Sequence, residues 1–206
     1  MFYVFPKNKI CFYHLHRTAG GTLSRVLKHL LKDKRFIIAQ DKRCHETFKW
    51  CHQQYDTSAL QLVTSLRNPY DQVISLYHWI RKGIKNSFIK SIQRKYRPEQ
   101  LKVHTMNFED FTDWYCDHWK SYDEWLQLDG NIPDYFFIKK ESMQEGISEF
   151  LDLSVQPDWY QWKWWHSNGK INRSRDDYYT KQCMYDRITD KQRWCFDQKF
   201  YQPAVI

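Results

Sequence analysis

The sequence is poor in glycine and proline, six of each in 206 residues, and no stretch of it has the repetitive bias of a linker or a low-complexity segment. It holds no apolar run near the roughly 18 residues of a membrane-crossing helix, and its opening, Met1 to Lys9, lacks the apolar stretch of a signal peptide. The expectation is therefore a soluble, cytoplasmic chain with no membrane segment. A Golgi-lumen enzyme would need an anchor that these residues do not contain. Acidic residues are also in deficit, 24 against 32 Lys plus Arg, for a net charge of +8. That balance points to an anionic partner, whether nucleotide, nucleic acid, acidic glycan or membrane surface. Hydrophobic residues make up 42% and aromatic residues 18%, which excludes a disordered chain and supplies a core for a single domain spanning residues 1–206.

Six cysteines are spread along the chain without one CxxC pair, and a domain of this size needs no covalent staples, so reduced thiols are expected. The repeated pairs Cys44-His45 and Cys51-His52 invite a zinc reading. On one helix, however, seven residues would separate them by about 10 Å, too far for ligands that each stand about 2 Å from a shared ion. No metal is expected.

Ile10 to His16 alternates as a first strand and runs straight into Arg17-Thr18-Ala19-Gly20-Gly21-Thr22, after which Leu23, Val26, Leu27, Leu30 and Leu31 mark an amphipathic helix. Phe36 to Gln40 reads as a second strand and Leu60 to Leu66 as a third, stopped at Asn68-Pro69. A helix over Tyr70 to Arg81 ends near Gly83. Helical spacing fills much of Lys85 to Gln127, Tyr135 to Ile138 is a fourth strand, and Ser142 with Glu145 forms a capping-box pattern for a helix to Leu151. Asp152 to Arg175 is irregular and rich in tryptophan, and one or two helices close the chain. Strands alternating with helices imply an α/β fold with a central, mainly parallel sheet flanked by helices.

A strand, a glycine-containing turn and a helix start together form an anion site, because the first N–H groups of a helix have no intrahelical partner. The Walker pattern GxxxxGK[ST] is absent, and Arg17 precedes the glycines, so an ordinary ATPase is not the reading. A second element, Arg67-Asn68-Pro69-Tyr70-Asp71-Gln72-Val73-Ile74-Ser75, places an arginine at a strand end and a serine two turns into a helix, each able to meet one phosphate. The plainer alternatives stay open: a tight βα turn, an Arg67 paired with a carboxylate, and a Ser75 that only packs.

Taken together, the two elements resemble a known family. Tyr13 to Leu23 is similar to the loop "H-x-P-K-T-[AG]-G-T-[ST]" of sulfotransferases that use 3′-phosphoadenosine-5′-phosphosulfate (PAPS), and Leu66 to Tyr77 resembles their "R-N-P-x-x-R-x-x-S-x-Y" element. The glycan-directed branch, with its heparan- and chondroitin-type enzymes and bacterial or viral relatives, is the closest in look. Later, Phe137 to Glu141 looks like the family's strand ending in Glu, and Ile171-Asn172-Arg173-Ser174 looks like its late nucleotide loop. The resemblance implies a P-loop-like fold in which Arg17, Thr18, Ala19, Gly20, Gly21 and Thr22 cradle the phosphosulfate. It implies that Arg67 and Ser75 hold the 3′-phosphate, with Asn172, Arg173 and Ser174 completing the nucleotide site and PAP as the product. The acceptor would be a hydroxyl, of a carbohydrate in the branch named, with no nucleic-acid partner. Three departures stand out: Arg17 where the family has Lys, Gly21 where a hydroxyl residue is common, and Gln72 where a second arginine is frequent.

In related glycan enzymes a histidine after the second strand serves as base, which points to His45, with Arg17 stabilising the leaving phosphate. His16 and His52 are the other histidines placed for that role, Glu46 and Asp41 the carboxylates, and His14 is read as structural. Trp159, Trp162, Trp164 and Trp165 could stack on sugar rings or form a hydrophobic flap. Two other functions fit part of the pattern: a P-loop-like kinase, and a non-catalytic module that binds nucleotide or glycan.

Overall fold

The computed structural model describes residues 2–34, 36–38, 46–82, 98–153 and 174–204. They fall into two compact units, Met1–Arg67 with Trp125–Asn172, and Asn68–Glu124 with Arg173–Ile206.

The first unit holds a five-stranded sheet made of β1 (Phe2–Phe5), β2 (Ile10–Tyr13), β3 (Phe36–Ile38), β4 (Gln61–Leu66) and β5 (Tyr135–Lys139), in the order β3-β1-β2-β4-β5. β2 pairs with β4, and β4 with β5, in parallel, while β1 runs antiparallel to β2 and β3. Four strands thus point one way and only β1 opposes them, so the fold is α/β with a mainly parallel sheet. β1 is an addition to the sequence reading, which began the sheet at Ile10. Its four residues are all buried, so they show no alternation for periodicity to catch. It joins β2 through a 3-10 turn, Pro6–Asn8, closed by Lys9 in the left-handed region at φ 53°.

β2 stops at Tyr13 rather than His16, because the chain leaves the ladder there to form the turn that precedes α1 (Gly20–Leu30). α1 buries Leu23, Val26 and Leu27 against Tyr3, Phe5, Phe12 and Val63 of the sheet. The helix Met143–Phe150 adds Met143, Ile147 and Phe150 to the same core. Each such side chain taken fully out of water contributes roughly 1.5–3 kcal/mol. Rings fill the space beside Phe48 of α2 (Phe48–Gln54), whose centroid lies 5.7 Å from Phe2, 5.9 Å from Tyr13 and 5.4 Å from Tyr135. Thr47 caps α2 by accepting the Trp50 N–H. The capping box at Ser142 does not form: Ser142 is itself the last residue of a 3-10 turn, Lys140–Ser142, at φ −125° and ψ 45°, and its side chain makes no cap bond.

The second unit is helical. Its first helix, α3 (Pro69–Lys82), opens as expected at Asn68-Pro69, and Asn68 Oδ1 accepts the Tyr70 N–H at 3.1 Å. The 3-10 helix Pro98–Thr105 and the helices Phe108–His118, Gln182–Lys191 and Arg193–Asp197 follow. Their core includes Val73, Tyr77, Ile80, Phe111, Tyr115, Tyr179 and Ile188. Arg187 bridges helix to helix through Asp113 at 2.5 Å and Asp117 at 3.2 Å. The short helix Tyr122–Leu126 spans the boundary between the units.

The helix stop at Gly83 and the clustered tryptophans Trp159, Trp162, Trp164 and Trp165 lie outside the described residues. Among those described, no helix is long and apolar enough to cross a membrane. The five described cysteines are free, and burial pushes the Cys51 thiol up to about 12.

Candidate functional site

Parallel pairing of β2 with β4, in the register Tyr13 to Thr64, sends the chain out of both strands at one edge of the sheet. The segment His14 to Ala19 and residue Arg67 therefore meet there. Within it Arg17 and Ala19 take left-handed backbone, at φ 60° and 65°, a conformation that costs non-glycine residues roughly 1–2 kcal/mol apiece. The turn delivers the chain into α1 with Ala19 at the N-cap, where no side chain caps the helix. Ala19 C=O accepts the N–H groups of both Thr22 and Leu23, so the N–H groups at the helix start that have no intrahelical acceptor are those of Gly20 and Gly21.

Three contacts hold this turn. Thr18 is fully buried, and its hydroxyl bonds the Leu15 carbonyl at 3.0 Å and the Ser65 hydroxyl at 2.8 Å. That ties the turn to β4. Arg67 Nη1 donates to the Arg17 carbonyl at 3.4 Å. The third contact is steric: a Cβ on Gly20 would lie 1.9 Å from His14 Cδ2, whereas one on Gly21 would meet nothing within 4 Å. Gly20 is thus required by the imidazole beneath it, and Gly21 is not required by packing.

The electrostatics of the turn are positive. Desolvation, and after it the charge of Arg67, push Arg17 down to about 10, so its guanidinium is still charged at neutral pH. His14 stacks against Tyr3 and Phe12, and desolvation with a further contribution from Arg17 holds it well below the usual histidine range. It is neutral and structural. His16 is buried, with its ring 5.2 Å from that of Trp125.

The other sequence-derived residues are placed as follows. Ser75 is buried in α3 of the second unit. Ser174 begins a turn in which its N–H donates to Asp177 Oδ2 at 2.8 Å. His52, in α2, has Nδ1 2.7 Å from Thr57 Oγ1. Glu46 gives its backbone carbonyl to the Tyr13 hydroxyl. His45, Asp41, Asn172 and Arg173 lie outside the described residues. Glu141 falls in the 3-10 turn Lys140–Ser142, just beyond the end of β5. Among the described residues no cluster of His, Cys, Asp and Glu could hold a metal ion.

Two features were missed in the sequence. Ser65, the partner of Thr18, could have been found from its position: in a strand parallel to β2 it must reach the edge where the turn emerges. Gln72 is buried and accepts the Tyr115 hydroxyl at 3.0 Å, and that hydroxyl in turn accepts from Gln192 Nε2 at 2.6 Å. No local pattern links residues 72, 115 and 192.

The model of the sulfotransferase family matches residues 1–192. The chain belongs to the sulfotransferase family. No curated protein and no solved structure shows significant similarity to it. The activity of this sulfotransferase is accordingly sulfuryl transfer, and the match takes in both the turn ahead of α1 and the Arg67 to Ser75 element. The departure at Gln72 also gains a physical account: in this sulfotransferase the position is buried in an uncharged hydrogen-bond chain, where an arginine would need its own counter-charge.

Proposed function

We propose that this sulfotransferase draws its sulfuryl group from PAPS and passes it to a hydroxyl of a carbohydrate. The observation that carries this reading is the placement of Arg17 and Arg67 in one another's field, at a turn that runs into an uncapped helix start. Two neighbouring guanidinium groups disfavour each other, and a polyanion relieves both. The residues present suit such a donor: two cations, outward N–H groups, and an open, exposed Gly21 where the backbone can approach a phosphate closely. When bound, PAPS supplies an activated sulfuryl group and leaves as PAP.

Arg17, the backbone of Thr18, Ala19, Gly20 and Gly21, and the side chain of Thr22, whose N–H is held by the Ala19 carbonyl, bind the phosphosulfate end and stabilise charge on the leaving phosphate. Thr18 does so through its backbone, since its hydroxyl is engaged with Ser65 and Leu15. Arg67 takes the 3′-phosphate, and Ser75 keeps the role that its family spacing from Arg67 gives it. Asn172, Arg173 and Ser174 serve the nucleotide on the same ground of resemblance. His45 accepts the proton of the acceptor hydroxyl as its oxygen attacks sulfur in line.

Thermal shifts with PAP, with ATP and without ligand test the donor. At about a hundred times its dissociation constant PAP should add near 2.7 kcal/mol, more than ATP at equal concentration, and Arg67→Ala should remove most of the difference, a charge-assisted contact of roughly 1.5–3 kcal/mol. Equal shifts would overturn the assignment. Transfer of labelled sulfate from PAPS to a panel of glycans tests the acceptor. Binding without transfer would leave a nucleotide- or glycan-binding module, and a preference for ATP would leave a kinase.

A further inference from the structure

Away from the turn, six exposed cations of the first unit stand on α1, just past it, and on and beside the Pro6–Asn8 turn. Arg25, Lys28 and Lys32 stand on the exposed side of α1 and just past its end, and Lys34 follows. At the same end the Pro6–Asn8 turn brings up Lys7 and Lys9, both exposed, because the Lys7 backbone N–H donates to Asp33 Oδ2 at 2.9 Å. That bond occupies the one acid in the stretch, and Asp33 is itself buried, at 5% exposure. None of the six cations makes an ion pair among the described residues. The helix macrodipole accounts for basic residues in the last turn of α1. It does not account for Lys7 and Lys9 on another element, for Arg25 in mid-helix, or for Lys34 beyond it.

We infer that this patch is an exosite for an acidic polysaccharide, separate from the nucleotide turn: it begins at Arg25, about 7.5 Å along α1 from Gly20, and extends past the helix end, about 16 Å from it. The inference rests on the carbohydrate reading above: the acceptor of a glycan sulfotransferase gains negative charge with each transfer, and a second basic surface holds the part of the polymer that is not in the reaction site. Arg25 and Lys28 stand three residues apart, about 4.5 Å along the axis, and Lys32 and Lys34 follow just past the helix end, a row of positive charge suited to a linear polymer carrying regular anions. An anionic membrane fits less well, because Leu23, Val26 and Leu27 of α1 are in the core and Leu30 is partly buried against it, which leaves no fully exposed apolar side chain to insert. A nucleic acid also fits less well. Neither α1 nor the turn carries a Phe, Tyr or Trp on which bases could stack.

Titration of the full chain with heparin, used as the sulfated polysaccharide probe, decides the matter at about 0.1 M salt, where the Debye length of about 10 Å leaves such a patch only partly screened. Lys28→Glu/Lys32→Glu/Lys34→Glu alters exposed residues outside the proposed reaction site. It should weaken heparin binding at least tenfold, given about 1 kcal/mol for each lysine near an anionic surface, while leaving the PAP thermal shift as it was. Unchanged heparin affinity in that variant would overturn the exosite. So would tighter binding of the parent protein to phosphatidylserine vesicles or single-stranded DNA than to heparin. The same holds for a dimer-to-monomer change on charge reversal, which would show that the patch receives the acidic helix side, Glu145 and Glu149, of a second copy. A missing PAP shift in the parent protein counts against the donor assignment alone, and the heparin comparison still decides the patch.

Discussion

A methyl group placed on Gly20 would stand 1.9 Å from Cδ2 of His14, inside any permissible contact. The approach of these two residues sets where α1 begins, and with it where the first N–H groups of the helix point. Gly20→Ala must push the imidazole or the helix aside, and overpacking of this kind costs roughly 1–3 kcal/mol. Gly21→Ala, one residue on, meets open space within the first turn of α1 and should stabilise the protein by about 0.5–1 kcal/mol. Urea denaturation of the two variants checks the contrast. Equal effects would show that the imidazole yields freely.

His14 also gives the fold an acid sensitivity. Its folded pKa lies well below the ordinary value because of desolvation, so below about pH 6.5 the unfolded chain takes up a proton that the folded chain refuses. The unfolded state then binds more protons, and stability falls as pH is lowered from 6.5 toward the depressed folded value, by at most about 1.4 kcal/mol per pH unit from this residue. His14→Phe should flatten that part of the stability-against-pH curve measured by denaturant titration. An unchanged slope would assign the acid sensitivity to other groups.

At Gln72 the family-typical arginine is expected to harm the fold. Gln72→Arg would bring a charge into the buried chain of Gln192, Tyr115 and Gln72 and remove the acceptor of the Tyr115 hydroxyl, for a loss on the order of 3 kcal/mol. Tyr115→Phe should cost about 1–3 kcal/mol, since it leaves both glutamine side chains short of a partner. Melting temperature in the absence of nucleotide is the measurement. A Gln72→Arg protein as stable as its parent would show that the network has a ready alternative.

For the proposed base, His45→Ala should lower turnover by roughly 10² to 10⁴ and leave PAP affinity within about twofold. Steady-state rates for His45→Ala, His16→Ala and His52→Ala, each beside a PAP titration, separate the candidates. A collapse in His16→Ala or His52→Ala alone would move the role to that residue. Activity in all three would end histidine-base chemistry and turn attention to Glu46 and Asp41.

The sequence by itself determined the parts of this protein whose physics is local. The strand from Ile10, the helix from Gly20, the Asn68-Pro69 helix start and the strand from Tyr135 each follow from periodicity, proline geometry or helix-end chemistry within about ten residues, and the ordered pair of motifs was enough to point to the sulfotransferase family. What depends on residues far apart in the chain was decided only by the tertiary structure. β1 is recognisable as a strand only once β2 and β3 flank it. The capping pattern at Ser142 was overridden because a 3-10 turn sets its backbone before the side chain can act. Thr18 stood only as one member of the phosphosulfate cradle, and that its hydroxyl is taken by Ser65, 47 residues away, was visible only in three dimensions. Gln72 looked like a lost arginine until Tyr115 and Gln192 gave it a neutral, buried purpose. At Thr18 and Gln72 it was burial and pairing imposed from a distance that decided, which no window along the sequence contains.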